Sequence, residues 1–126
     1  MGVYEVSVEA RFAARHAVRL ADGSLEPPHE HPWAATATFR SDRLEEPRGI
    51  VVDFLLVQEV LRVATGAMEG KDLNAVVGAR GGASAERVAE FLGQAVMKHL
   101  AGRAKLYCLT VQEAPFCRAA WYPEGP

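Results

Sequence analysis

The sequence predicts an α+β fold: a four-stranded antiparallel sheet with two helices on one face, in the order strand, strand, helix, helix, strand, strand. Three observations carry this. Apolar and polar residues alternate near both ends of the chain, a longer middle stretch carries apolar residues at helical spacing, and Gly- and Pro-rich segments separate the blocks. Strands grouped at the ends with helices between them belong to segregated α+β layouts rather than alternating βαβ units. With 126 residues, 49% of them hydrophobic, the chain suits a single domain, 1–126, around one core.

In the segment 4–18, Tyr4, Val6 and Val8 share one parity while Val3, Glu5, Ser7 and Glu9 share the other, which reads as a half-buried first strand. "LADGSLEPPHEHP" (20–32) is rich in turn formers and reads as the loop of a wide hairpin. The second strand is predicted over 33–39. After the short apolar run 50–52, Asp53 is placed to cap a helix whose Leu56, Val60, Leu61 and Ala64 fall on one face, with Gly66 and Gly70 ending it. "KDLNAVVGARGG" reads as a glycine-punctuated connector. Ser84 is placed to cap the second helix, Glu86 suits its first turn, and Val88, Phe91, Leu92, Ala95, Val96 and Leu100 form its stripe. "AKLYCLTVQE" and "FCRAAWYP" alternate around an "AP" turn and read as a terminal hairpin.

The composition excludes several classes of function. Fourteen Lys and Arg against 16 Asp and Glu give a formal charge of −2, with no basic, aromatic-interleaved patch for nucleic acid. No run of about 18 apolar residues points to a membrane span, and the first residues lack a signal-peptide layout, so a cytoplasmic protein is expected. Cys108 and Cys117 are too few for a disulfide scaffold and are expected to be reduced and packed. A four-stranded sheet has two open edges, which are commonly covered by a second subunit. A homo-oligomer is therefore expected.

The chemistry gathers at the histidines. His29 and His31 are two apart at the mouth of a strand, so they share a face if the strand reaches them, with Cα atoms about 6 to 7 Å apart. His16 ends the preceding strand, and a neighbouring strand about 4.8 Å away brings it beside the pair. Three imidazoles suit Zn²⁺ with a fourth position open for substrate, although two histidines in a Pro-rich loop also occur simply solvated. His99, near the end of the second helix, reads as a dipole-complementing residue.

The ordered set "FAARH", "HEHPW", "GIVVDF", "DLNAV", "SAERVAEFL" and "VQEA" resembles the 6-pyruvoyl tetrahydropterin synthase family, including its bacterial 6-carboxytetrahydropterin synthase branch, over nearly the whole chain. The resemblance implies a tunnelling fold (T-fold), trimers stacking into hexamers, zinc held by His16, His29 and His31, and a dihydropterin substrate anchored by Glu113. It implies a lyase reaction on 7,8-dihydroneopterin triphosphate or a related dihydropterin. A metal polarises a side-chain oxygen and eases removal of a neighbouring proton, and a carboxylate orients the guanidine-like edge of the ring.

The sequence also departs from the family pattern. The family's usual catalytic Cys lies a few residues before the histidine pair, where this chain has Leu25, and its Asp-His pair is here Glu69 and Gly70. Some family members use a Glu in place of the Cys, which makes Glu26 the candidate base. Glu69, at the family's Asp, is the second catalytic candidate, and Lys71 and Asp72 adjoin it. Against the enzyme stands a second reading, a non-catalytic or repurposed paralogue that keeps zinc and a pterin-sized pocket. A third is a shared fold whose metal serves unrelated hydrolysis.

Overall fold

A computed structural model describes residues 2–78 and 81–125. The elements run β1 (Tyr4–His16), β2 (His29–Ser41), α1 (Phe54–Gly66), α2 (Leu73–Val77), α3 (Ala85–Leu100), β3 (Cys108–Ala114) and β4 (Cys117–Trp121). The four strands form one sheet in the order β1-β2-β3-β4, and every neighbouring pair is antiparallel. Among the described residues no helix is long and apolar enough to cross a membrane.

The predicted caps do their work. The Asp53 carboxylate accepts from Leu55 N–H at the start of α1, and Ser84 Oγ accepts from Arg87 N–H at the start of α3. Helix α2 is an addition to the predicted order. It spans five residues between its N-cap Asp72 and Gly78, which ends it at φ 66°, and so short a helix shows no 3.6-residue period in sequence.

β2 is longer than predicted, because the prolines before Trp33 read as loop. Ala13 turns both its backbone groups to the outer edge of β1: its N–H donates to Glu69 and its C=O accepts from Gly70 N–H. Its cross-strand partner Pro32 therefore sits in a non-hydrogen-bonded pair, with its nitrogen toward the side where β3 reaches only to Ala34. No ladder bond is lost there, so the strand continues through the proline to His29.

One face of the sheet packs on the helices. Phe12 and Ala14 of β1, Trp33 and Ala37 of β2, and Leu109 and Val111 of β3 meet Leu61 of α1 and Leu92 of α3 in one buried cluster. Each fully buried leucine contributes about 1.5–3 kcal/mol by leaving water. Gly93 lets α3 close on β4, since a Cβ there would lie 2.3 Å from Trp121 Cε3. Of the two cysteines expected to be packed, Cys108 is buried but Cys117 is exposed, because it sits on the edge strand beside the turn that joins β3 to β4.

Candidate metal centre

The hairpin register sets His16 opposite His29 and Ala14 opposite His31. Alternation then places the three imidazoles on one face at one end of the sheet. Ring centroids lie 4.6 Å apart for His16 and His29, 5.0 Å for His16 and His31, and 4.4 Å for His29 and His31. Trp33 stands edge-on to His16 at 4.9 Å, and its indole N–H donates to Ala14 O at 3.3 Å. Glu113 reaches in from β3. One ligand atom from each of His16, His29, His31 and Glu113 lies within 4.8 Å of all the others.

The ring nitrogens are already assigned by their neighbours. His16 Nδ1–H donates to Ala83 O at 2.7 Å, and His29 Nδ1–H donates to Pro27 O at 3.0 Å. A carbonyl only accepts, so each ring turns an Nε2 lone pair toward the cluster, the arrangement of metal-ligating imidazoles. His16 Nε2 is fully buried and has no hydrogen-bond partner among the described residues. Leaving such an acceptor unsatisfied costs about 1–3 kcal/mol, and a cation in the cluster removes that cost. The residues therefore fit a metal ion, and the imidazole and carboxylate donors suit zinc.

Electrostatics favour a neutral His31. Burial, followed by the neighbouring His29 and His16, holds the His31 pKa below the ordinary 6.5. The folded chain thus takes up this proton less readily than the unfolded chain does. Metal-free protein is expected to have its full stability above about pH 6.5 and to lose part of it as the pH falls from there to the folded pKa. Urea midpoints at pH 7.5 and 5.5 measure the loss, and His31→Gln is expected to reduce it.

The segment around His16 is tied by a residue that stands out in the sequence only within the resembling stretch "DLNAV". Asn74 Oδ1, at the start of α2, accepts from both Ala17 N–H and Ala83 N–H at 3.1 Å. It thereby ties the end of β1 to the carbonyl-bearing segment that orients His16. Gly82, at φ 93°, allows the close approach, since a Cβ would lie 2.0 Å from Ala17 O. Asn74→Leu orphans both N–H groups and is expected to weaken metal binding at the cluster about 10–100-fold, as removal of an orienting partner does. Chelator competition reads this, and Asn74→Asp, which keeps the acceptor, is expected to recover most of it.

The candidate carboxylates part company. Glu26 is fixed beside the cluster: its Oε1 accepts from Val18 N–H at 3.0 Å and lies 3.7 Å from His29 Nε2. Glu69 is engaged elsewhere, its Oε2 accepting from Ala13 N–H at 2.6 Å, and it does not join the cluster. Asp72 caps α2. Neither cysteine joins the cluster, and Leu25 is 48% exposed. A cavity of about 250 Å³ opens beside the site, lined in part by Arg11, His31, Trp33, Gln112, Glu113 and Pro115. A larger one, about 510 Å³, lies at the opposite end of β2, where Arg48 is already paired with Glu45 and Asp53.

Comparison with known proteins adds a family. The sequence model described as 6-pyruvoyl tetrahydropterin synthase matches residues 5–124. No curated protein matches by sequence. The fold is similar to that of 6-pyruvoyl tetrahydropterin synthase from Caenorhabditis elegans, with a TM-score of 0.80 at 14% identity over 97% of this chain and 96% of that one. It is also similar to the Plasmodium vivax enzyme in a form described as a catalytic-residue mutant, glutamate to alanine, with a TM-score of 0.73 at 15% identity over 96% and 98%. An uncharacterised protein of Wolinella succinogenes gives 0.77 at 15% identity over 98% and 99%. The four-stranded sheet with its helices is thus a T-fold.

Proposed function

Because the chain belongs to the 6-pyruvoyl tetrahydropterin synthase family, we propose that it is a zinc-dependent lyase acting on 7,8-dihydroneopterin triphosphate or a related dihydropterin. The observation that carries the reading is the buried His16 Nε2, without a hydrogen-bond partner among the described residues, facing His29, His31 and Glu113. His16, His29 and His31 hold the ion. When bound, zinc supplies Lewis acidity toward an oxygen of the pterin side chain.

The remaining roles fall to the protein. Glu113, on the cavity wall, accepts hydrogen bonds from the guanidine-like edge of the ring and orients it. Glu26 is the base: Val18 N–H engages only Oε1, which leaves Oε2 to take a proton from a side-chain carbon. A glutamate is also the catalytic residue named for the Plasmodium vivax relative. Glu69 is the poorer candidate, since its carboxylate closes the β1 edge.

The cavity of about 250 Å³ falls short of the roughly 300–1,000 Å³ usual for small-molecule sites. The outer edge of β4 and most of that of β1 pair with no strand among the described residues. Both features support a homo-oligomer, a trimer or hexamer, in which a second subunit completes the site.

The deciding experiment incubates zinc-loaded protein with 7,8-dihydroneopterin triphosphate and follows triphosphate release and pterin products. Turnover is expected. A second reading, a non-catalytic zinc- and pterin-binding paralogue, is favoured by the lack of a cysteine in the cluster. Tight pterin binding with no turnover establishes that reading instead.

A further inference from the structure

Glu113 approaches the histidines more closely than a substrate anchor requires. Its Oε1 lies 2.7 Å from His16 Nε2 and 3.7 Å from His31 Nε2. The only proton of a neutral His16 ring is given to Ala83 O, so at 2.7 Å two lone-pair atoms face each other without a hydrogen bond between them. Such a pair repels unless a proton or a metal ion lies between its members, and only a metal ion engages His29 and His31 as well. Tetrahedral ligands each about 2.0 Å from zinc stand roughly 3.3 Å apart, and the two observed distances bracket that spacing.

The backbone is arranged for this approach. β3 shifts register between Gln112 and Ala114, so Gln112 pairs with Arg118, Ala114 pairs with Cys117, and Glu113 has no partner on β4. A bulge of this kind leaves a residue out of the ladder. Glu113 shares the parity of Leu109 and Val111, so alternation sets its carboxylate on the face of the imidazoles, and the bulge frees it from the β4 ladder on the wall of the cavity.

We propose that Glu113 is the fourth protein ligand of the metal when no substrate is bound, and that it leaves the metal to hold the ring of an entering pterin. The inference rests on the function proposed above and adds a gating step to it. The same carboxylate closes the metal site at rest and opens it only when a heterocycle with paired N–H donors offers a replacement. No bond to carbon changes in this exchange.

The test uses Co²⁺-loaded protein, with azide as a probe for an open coordination position and neopterin, an oxidised pterin, as the ring. In the unsubstituted protein the visible cobalt spectrum is expected to be insensitive to azide and to shift when neopterin is added and draws Glu113 off the metal. Glu113→Gln and Glu113→Ala are expected to shift the spectrum, make it azide-sensitive without neopterin, and weaken zinc binding about 100-fold. The alanine variant excludes ligation by the glutamine carbonyl, and circular dichroism verifies that both variants fold. If both variants keep the cobalt spectrum and zinc affinity of the parent while losing neopterin binding, Glu113 is an anchor only and the proposal is overturned while the proposed function stands. A parent protein that takes up neither Zn²⁺ nor Co²⁺ overturns both.

Discussion

Zinc affinity is expected to fall about ten-thousandfold when His29 and His31 are both replaced by alanine. Zinc held by four protein ligands binds with about 10–16 kcal/mol, or about 3 kcal/mol for each ligand. That is about a hundredfold for every imidazole removed. These two positions are the informative ones because their side chains are 37% and 24% exposed, whereas His16 is fully buried and its loss confounds binding with packing. The double variant should therefore fold, which a melting curve verifies, and fail to retain zinc against a chelator. Stoichiometric zinc in that variant would place the metal elsewhere and remove the basis of the functional proposal.

The second large effect concerns the base. Glu26→Gln is expected to lower kcat about 10²–10⁴-fold while leaving zinc content and pterin affinity near those of the parent, because proton transfer is lost and little else. The amide oxygen of glutamine still accepts from Val18 N–H, so the 3.0 Å contact that fixes this side chain survives the change. A kcat within twofold of the parent would show that another group moves the proton. Glu69→Gln supplies the contrast. Its carboxylate is bound to Ala13 N–H, so the expected consequence is a modest loss of stability at the β1 edge with kcat largely kept.

Much of this was legible in the linear sequence. Asp53 and Ser84 cap the helices they were expected to cap, because an N-cap is a contact between near neighbours and needs no tertiary information. The alternation in β1 and the stripe of α3 likewise record which face each element buries. The prolines before Trp33 concealed the first residues of β2, since the tolerance for Pro32 depends on β3 stopping short of it. Helix α2 escaped notice because five residues carry no period. Its Asn74 orients the segment that holds His16, and only the resemblance drew attention to "DLNAV".

The sequence by itself determined the types of the four strands and the two long helices, the two-residue spacing of His29 and His31, and the chemistry available to them, because all of these follow from local spacing and side-chain identity. Only the tertiary structure decided which nitrogen each imidazole presents, since Ala83 O and Pro27 O make that choice. It alone separated Glu26, beside His29, from Glu69, bound to the edge of β1. It alone brought Glu113 to His16 across 97 residues of chain, through the register of β3 and its bulge. Contacts of that span depend on how strands align and where a bulge shifts them, and those are properties of the packed sheet rather than of any short stretch of sequence.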